Sequence, residues 1–217
     1  SEVNHKELAG TQKNAWLKVL TSQFPDKPKE EIRILDIGTG PGFFPVILAE
    51  AGYHVDAVDY TEGMLEKAKE NAGDLCRNIR FLRMDAQKLD FEDNTFDVVI
   101  SRNLTWNLEH PDVAYREWVR VLKVGGRLLN FDANWYGHLF EEGLRKAYEE
   151  DRRAVEAMEM EDHYTCTNID WMEEIARKMP LSPINRPRWD CEVLKETGFA
   201  KVEAEENMGK RVWSLTE

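Results

Sequence analysis

Cysteine is scarce and odd in number in this chain: three among 217 residues, Cys76, Cys166 and Cys191, set far apart. That spacing supplies neither a disulfide framework nor the paired ligands of a metal site, so no metal and a reducing compartment are expected. Long apolar runs are missing too. No stretch approaches the ~18 residues that cross a bilayer, and no apolar leader opens the sequence, which predicts a soluble, cytoplasmic protein with no membrane partner. Positive charge is in deficit: 29 Lys and Arg stand against 41 Asp and Glu, a net charge of −12, and the basic residues form no run. An acidic surface repels phosphate backbones, so nucleic acid is not expected as a partner. Internal repeats and low-complexity segments are also lacking.

The length fits one sizeable α/β domain, residues 1–217, with an insertion. Its most telling stretch is Ile34-Leu35-Asp36-Ile37-Gly38-Thr39-Gly40-Pro41-Gly42, an apolar strand that ends in an acid and three glycines spaced two apart. Glycine lets a ligand approach the main chain where any side chain would block it. Helical periodicity follows from Phe43 to Gly52. The dinucleotide fingerprint G-x-G-x-x-G would need glycine where Phe43 stands, which argues against NAD. Asp36 argues the same way, because a carboxylate suits a cationic ligand better than a pyrophosphate.

The rest of the chain alternates. Residues 5–24 read as a helix carrying Leu8, Trp16, Leu20 and Phe24, stopped by Pro25 and Pro28, so 1–28 forms an N-terminal helical segment. Strands are predicted at 33–37, at 54–59 closed by Asp59, at 79–85 closed by Asp85, at 96–101, and at 127–131 after the turn Gly125-Gly126. Helices fall between them, from Thr61 and from Pro111. Residues 134–186 break the rhythm with 12 acids against 7 basic residues and read as two helices, roughly 138–160 and 168–179. A helix near 189–197 and two closing strands, 200–205 and 210–215, complete the pattern. The expectation is a doubly wound sheet with its ligand at the carboxyl ends of the strands.

D-x-G-x-G-x-G after a strand resembles motif I of the class I S-adenosylmethionine-dependent methyltransferases. The order of elements is similar to that family over 33–133 and 187–217. Val119-Arg120-Val121-Leu122-Lys123-Val124-Gly125-Gly126 resembles most the small-molecule group that includes the ubiquinone and menaquinone biosynthesis enzymes. The resemblance implies a Rossmann-like, seven-stranded, mostly parallel sheet. The core would be 29–133 with 187–217, and a helical cap, 134–186, would be inserted between strands 5 and 6. It implies S-adenosylmethionine as cofactor, S-adenosylhomocysteine as product and a small-molecule methyl acceptor.

Site roles follow from the same resemblance. Gly38, Thr39, Gly40 and Gly42 would offer backbone amides, and Asp36 would help hold the methionine ammonium. Asp59 would grip the ribose hydroxyls, with Tyr60 and Met64 flanking adenine. Asp85 would accept the adenine amino group and Ala86 would donate its amide. Ser101 and Arg102 would meet the methionine tail through main-chain carbonyls. Trp106, Trp135, Tyr136 and Phe140 are candidates for a dry acceptor pocket, since discharging a sulfonium is favoured there. A general base, where one is needed, could be His138 or His163. Ser101-Arg102-Asn103-Leu104 lacks the N-P-P-Y pattern of nucleic-acid amino methyltransferases, and the cysteine spacing differs from that of arsenic methyltransferases. A catalytically silent cofactor-binding protein is the alternative reading.

Overall fold

The computed structural model describes residues 8, 10, 12–157 and 169–216. The chain forms two compact units: one of 1–103, 112–131 and 203–217, the other of 104–111 and 132–202.

The first unit opens with helix α1 (Gln12–Thr21), whose Ala15, Trp16, Val19 and Leu20 are buried. Strand β1 (Ile34–Ile37) is buried at every position. Helix α2 (Phe43–Glu50) has seven of its eight residues buried, as a helix apolar on all sides must. Then come β2 (Val55–Asp59), α3 (Glu62–Ala72), β3 (Ile79–Arg83), β4 (Phe96–Arg102), α4 (Pro111–Val121) and β5 (Leu122–Phe131). The strand order is β3-β2-β1-β4-β5, and every pairing is parallel. Strand order therefore reverses beside β1 and β4, which opens a crevice at their carboxyl ends.

The core joins Trp16 and Leu20 of α1, Phe43, Phe44 and Ile47 of α2, Ile34, Val55, Val98 and Ile100 of the sheet, and Val212 near the end of the chain. A smaller cluster, Val46, Ala49, Ala57, Ala72 and Ile79, seals the other side of α2.

Four expectations are corrected. The sheet has five strands among the described residues, not seven. Residues 201–205 have no regular structure: only Val202 is partly buried there, so the alternation has no face to cover. The expected last strand is instead helix α8 (Met208–Ser214). Met208 and Val212 pack on the α1 cluster, and with Leu215 they follow the i, i+4, i+7 spacing of a helix rather than the period of a strand. Finally, Gly125-Gly126 does not precede the fifth strand but lies within it. Phe96 pairs with Leu122 and Val98 with Arg127, so Lys123–Gly126 form a bulge with Gly125 at φ 79°.

The second unit holds α5 (Glu142–Ala157), α6 (Ile169–Ala176) and α7 (Arg188–Glu196). The two helices expected within 134–186 correspond to α5 and α6. His163 and Cys166 lie outside the described residues.

Candidate functional site

The turn after β1 is held by its neighbours. The amides of Gly38 and Thr39 both donate to the carbonyl of Val58, at 2.9 and 3.0 Å. The Gly40 amide donates to Oδ2 of Asp59 at 2.8 Å, and Asn71 Nδ2 donates to the carbonyl of Pro41 at 2.8 Å. Gly40 has φ +52°, and a Cβ placed there would meet nothing within 4 Å, so the turn has open space over its backbone. Gly42 is needed for a different reason: at φ +87° its Cβ would come within 3.0 Å of the Ala68 Cβ, where α3 packs on the turn.

Asp36 is 2 % exposed. Burial is the main cause of its raised pKa, from 3.8 to about 7. The Thr39 side chain lowers it, the negative charge of Asp59 raises it again, and Arg102 lowers it. The Thr39 hydroxyl makes no well-formed hydrogen bond among the described residues, although it is buried. A reluctant buried carboxyl under a glycine turn with open space over its backbone is what a cationic amino-acid tail would satisfy, so these residues fit S-adenosylmethionine.

The other strand ends gather at the same place. Ser101 is fully buried, and its Oγ donates to the Ile37 carbonyl at 3.0 Å. Arg102 rests its guanidinium 5.1 Å from the ring centres of Trp16 and Phe43 and 5.6 Å from that of Phe44. Asn103 follows at φ 55°, with its amide on the Phe131 carbonyl at 2.8 Å. The Asp59 carbonyl accepts the Met84 amide at 3.1 Å, which brings Asp85 to the tip of β2. Asp85 Oδ1 accepts the Gln87 amide at 2.8 Å, and Ala86 is buried. Tyr60 and Met64 leave large apolar side chains exposed, 67 % and 45 %. Arg83 holds Tyr60 from behind, its Nε on the Tyr60 carbonyl at 3.1 Å. All twelve expected cofactor residues lie in the first unit: on the turn, at the strand ends or in the residues just after them, with Met64 in the first turn of α3. Sequence reading missed Asn71, Asn103 and the Arg102 side chain with its aromatic cage. For Asn71, its place one turn after Ala68 on α3 was the available signal.

Trp106, Trp135, Tyr136, His138 and Phe140, the residues expected around the acceptor, all belong to the second unit. Trp106 and Tyr136 ring centres are 5.2 Å apart, and Tyr136 and His138 are 6.0 Å apart. His138 stacks on Tyr148 at 4.1 Å. Its Nε2 is buried without a hydrogen bond among the described residues, 3.6 Å from Glu173. Trp135 Nε1 donates to Asp132 Oδ1 at 3.1 Å, and the Trp106 amide donates to Asp132 Oδ2 at 2.9 Å. Asp132 is in turn paired with Arg186 at 3.0 Å and accepts the Thr105 hydroxyl. Phe140 is 45 % exposed.

An open groove also lies at the opposite, amino ends of the strands, lined by Arg33, His54, Asp56, Arg77, Arg80 and Phe96. Arg80 is spent there on a bidentate pair with Asp56, and neither the glycine turn nor Asp36 reaches it.

Residues 35–130 match the methyltransferase domain family. A ubiquinone/menaquinone biosynthesis C-methyltransferase of Pseudomonas putida is 40 % identical over 180 residues, 78 % of this chain and 66 % of that protein. A demethylmenaquinone methyltransferase of Clavibacter sepedonicus is 41 % identical over 98 residues, 45 % of this chain and 39 % of that protein. This chain therefore spans between two fifths and two thirds of the length of these two curated relatives. Among solved structures, a protein of Methanococcus maripaludis assigned to the S-adenosylmethionine-dependent methyltransferases superposes with a TM-score of 0.61 at 25 % identity. The match covers 93 % of this chain and 84 % of that one.

Proposed function

Because the chain belongs to the class I S-adenosylmethionine-dependent methyltransferases, close to the ubiquinone and menaquinone biosynthesis group, we propose that it methylates a small-molecule acceptor. The observation that carries this reading is Asp36, a buried carboxyl below a glycine turn that leaves open space over its backbone at Gly40. Bound there, the cofactor supplies an electrophilic methyl group on a sulfonium, which needs positioning more than covalent help. Asp36 and the main-chain carbonyls of Ser101 and Arg102 hold the methionine ammonium, with the tail lying over the open side of the glycine turn. Asp59 takes the ribose hydroxyls; each carboxylate oxygen already accepts one amide and keeps capacity for another donor. Tyr60 and Met64 flank the adenine, Asp85 accepts its amino group and Ala86 donates to the ring.

Trp106, Trp135, Tyr136 and His138 are the acceptor residues in this reading, with 134–186 as the insertion that selects the acceptor. Their aromatic character suits an aromatic or apolar molecule such as a quinol. His138 is the group available for a proton the acceptor must lose. No described helix is long and apolar enough to cross a membrane, and we place the protein in the cytoplasm, without nucleic acid.

Calorimetric titration with S-adenosylhomocysteine tests the cofactor half, with saturable binding expected for the native chain and loss of it in Asp59→Ala. A native chain that does not bind overturns the reading. Labelled methyl transfer to a panel of quinols and phenols tests the other half, and binding without transfer to any small molecule would favour a silent cofactor-binding protein.

A further inference from the structure

We propose that Trp118, with Glu117 and Arg120 beside it on α4, is a positioning residue that aims the Asp85 carboxylate and thereby sets a preference for an amino-bearing purine. This rests on the cofactor reading above. Residues 84–95 cross from β3 to β4 with no strand ladder to fix their peptides, yet α4 fixes them one by one. Trp118 Nε1 donates to the Ala86 carbonyl at 2.9 Å, and both residues are buried. Glu117 Oε2 accepts the Leu89 amide at 2.9 Å. Arg120 donates to the Leu89 carbonyl at 2.9 Å and to the Phe91 carbonyl at 2.8 Å. Its fork is locked by Glu117 at 2.8 and 2.9 Å and by Asp93 at 2.7 Å.

The decisive link is one peptide. The carbonyl of Ala86 and the amide of Gln87 belong to the same planar unit, which cannot twist without breaking amide resonance. Its oxygen ends on Trp118, and its N–H ends on Asp85 Oδ1 at 2.8 Å. Trp118 therefore fixes the orientation of the carboxylate through a rigid plane, without touching any ligand. A carboxylate held this way accepts from an exocyclic amine and opposes a keto oxygen at the same position. Adenine offers the first and hypoxanthine the second. The Trp118 N–H ends on the Ala86 carbonyl, and replacing the indole by a phenyl ring removes that one hydrogen bond while keeping an aromatic ring in the core.

The experiment compares S-adenosylhomocysteine with S-inosylhomocysteine by calorimetry, in the native chain, in Trp118→Phe and in Arg120→Lys. The native chain should prefer the adenosyl ligand by at least about tenfold, and Trp118→Phe should bring the two within about threefold, the loss expected for one hydrogen bond. Arg120→Lys keeps the charge but not the fork, and should move the ratio the same way to a smaller extent, which keeps the test open should Trp118→Phe not fold. A ratio that stays native in the variants overturns the proposal even where their Tm falls, because the contacts are then structural only. Failure of the native chain to bind either ligand instead refutes the cofactor reading, so the two failures are distinguishable.

Discussion

The backbone amide of Gly40 lies 2.8 Å from Oδ2 of Asp59, so the acid that ends β2 is tied to the turn that ends β1. Its other oxygen accepts the Thr61 amide at 2.9 Å. Asp59→Asn puts an NH2 group opposite one of these two N–H donors and leaves it unpaired. The affinity for S-adenosylhomocysteine should fall by about tenfold to a hundredfold, from the loss of a charge-assisted bond worth about 1.5–3 kcal/mol. Titration calorimetry reads it, and unchanged affinity would separate Asp59 from the ligand.

Asp36 makes cofactor uptake depend on pH. Its folded-state pKa, about 7, lies above its ordinary 3.8, so between these values the folded chain carries a proton the unfolded chain has released. Its contribution to stability therefore declines as pH rises through that window. A cationic tail favours the carboxylate, so S-adenosylmethionine binding near pH 6 should release a proton. Binding enthalpies in buffers of different ionisation heat should differ for S-adenosylmethionine and agree for 5′-methylthioadenosine, which lacks the ammonium. Equal proton release with both ligands would rule Asp36 out as its source.

Asp97 behaves in the opposite sense. Burial alone would raise its pKa, but hydrogen bonds from Lys123 and Lys27, each at 2.7 Å, and from the Arg33 amide lower it from 3.8 to about 2. The resulting stability, on the order of 2 kcal/mol, is present above the ordinary value and is lost as pH falls toward the folded-state one. Asp97→Asn should be less stable than the native chain at pH 7 and match it in strong acid. Urea melts at the two pH values decide it: a gap of the same size at both would show that ionisation is not involved.

Arg186 is the only cation paired with both Asp132 and Asp190 among the described ion pairs, and its side chain is 5 % exposed. Arg186→Met removes the cation from between two carboxylates, one of them 2 % exposed, and should cost about 3–5 kcal/mol. Adding Asp132→Asn should recover part of the loss. Thermal melts of the single and double variants provide the measurement, and a stable single variant would mean the network is already open to water.

How much of this was legible beforehand can be argued residue by residue. Strands β1 and β4 could be placed because each is a largely apolar run, and a strand buried on both faces has little choice of composition, while β2 and β3 were marked by apolar positions interleaved with charged ones. The glycine turn was equally plain, since few residues accept φ of +52° and +87° in succession. The expected strand at 210–215 is a helix, because Met208 and Val212, four residues apart, bring one helical face onto α1. Nothing local marked Trp118 as more than a core residue, and its N–H finds Ala86 across 32 positions of sequence.

The order of strands and helices through β5, the acids at or just after the ends of the first three strands and the glycine spacing were determined by the sequence itself, because backbone sterics and the side-chain period act over a few residues. Which side chains meet was decided by the tertiary structure alone. Asp59 on Gly40, Arg102 among Trp16, Phe43 and Phe44, and Arg186 on Asp132 each join residues with no shared local pattern. Burial then sets their charge states: Asp36 becomes reluctant to ionise only once the sheet has closed around it and taken the water away.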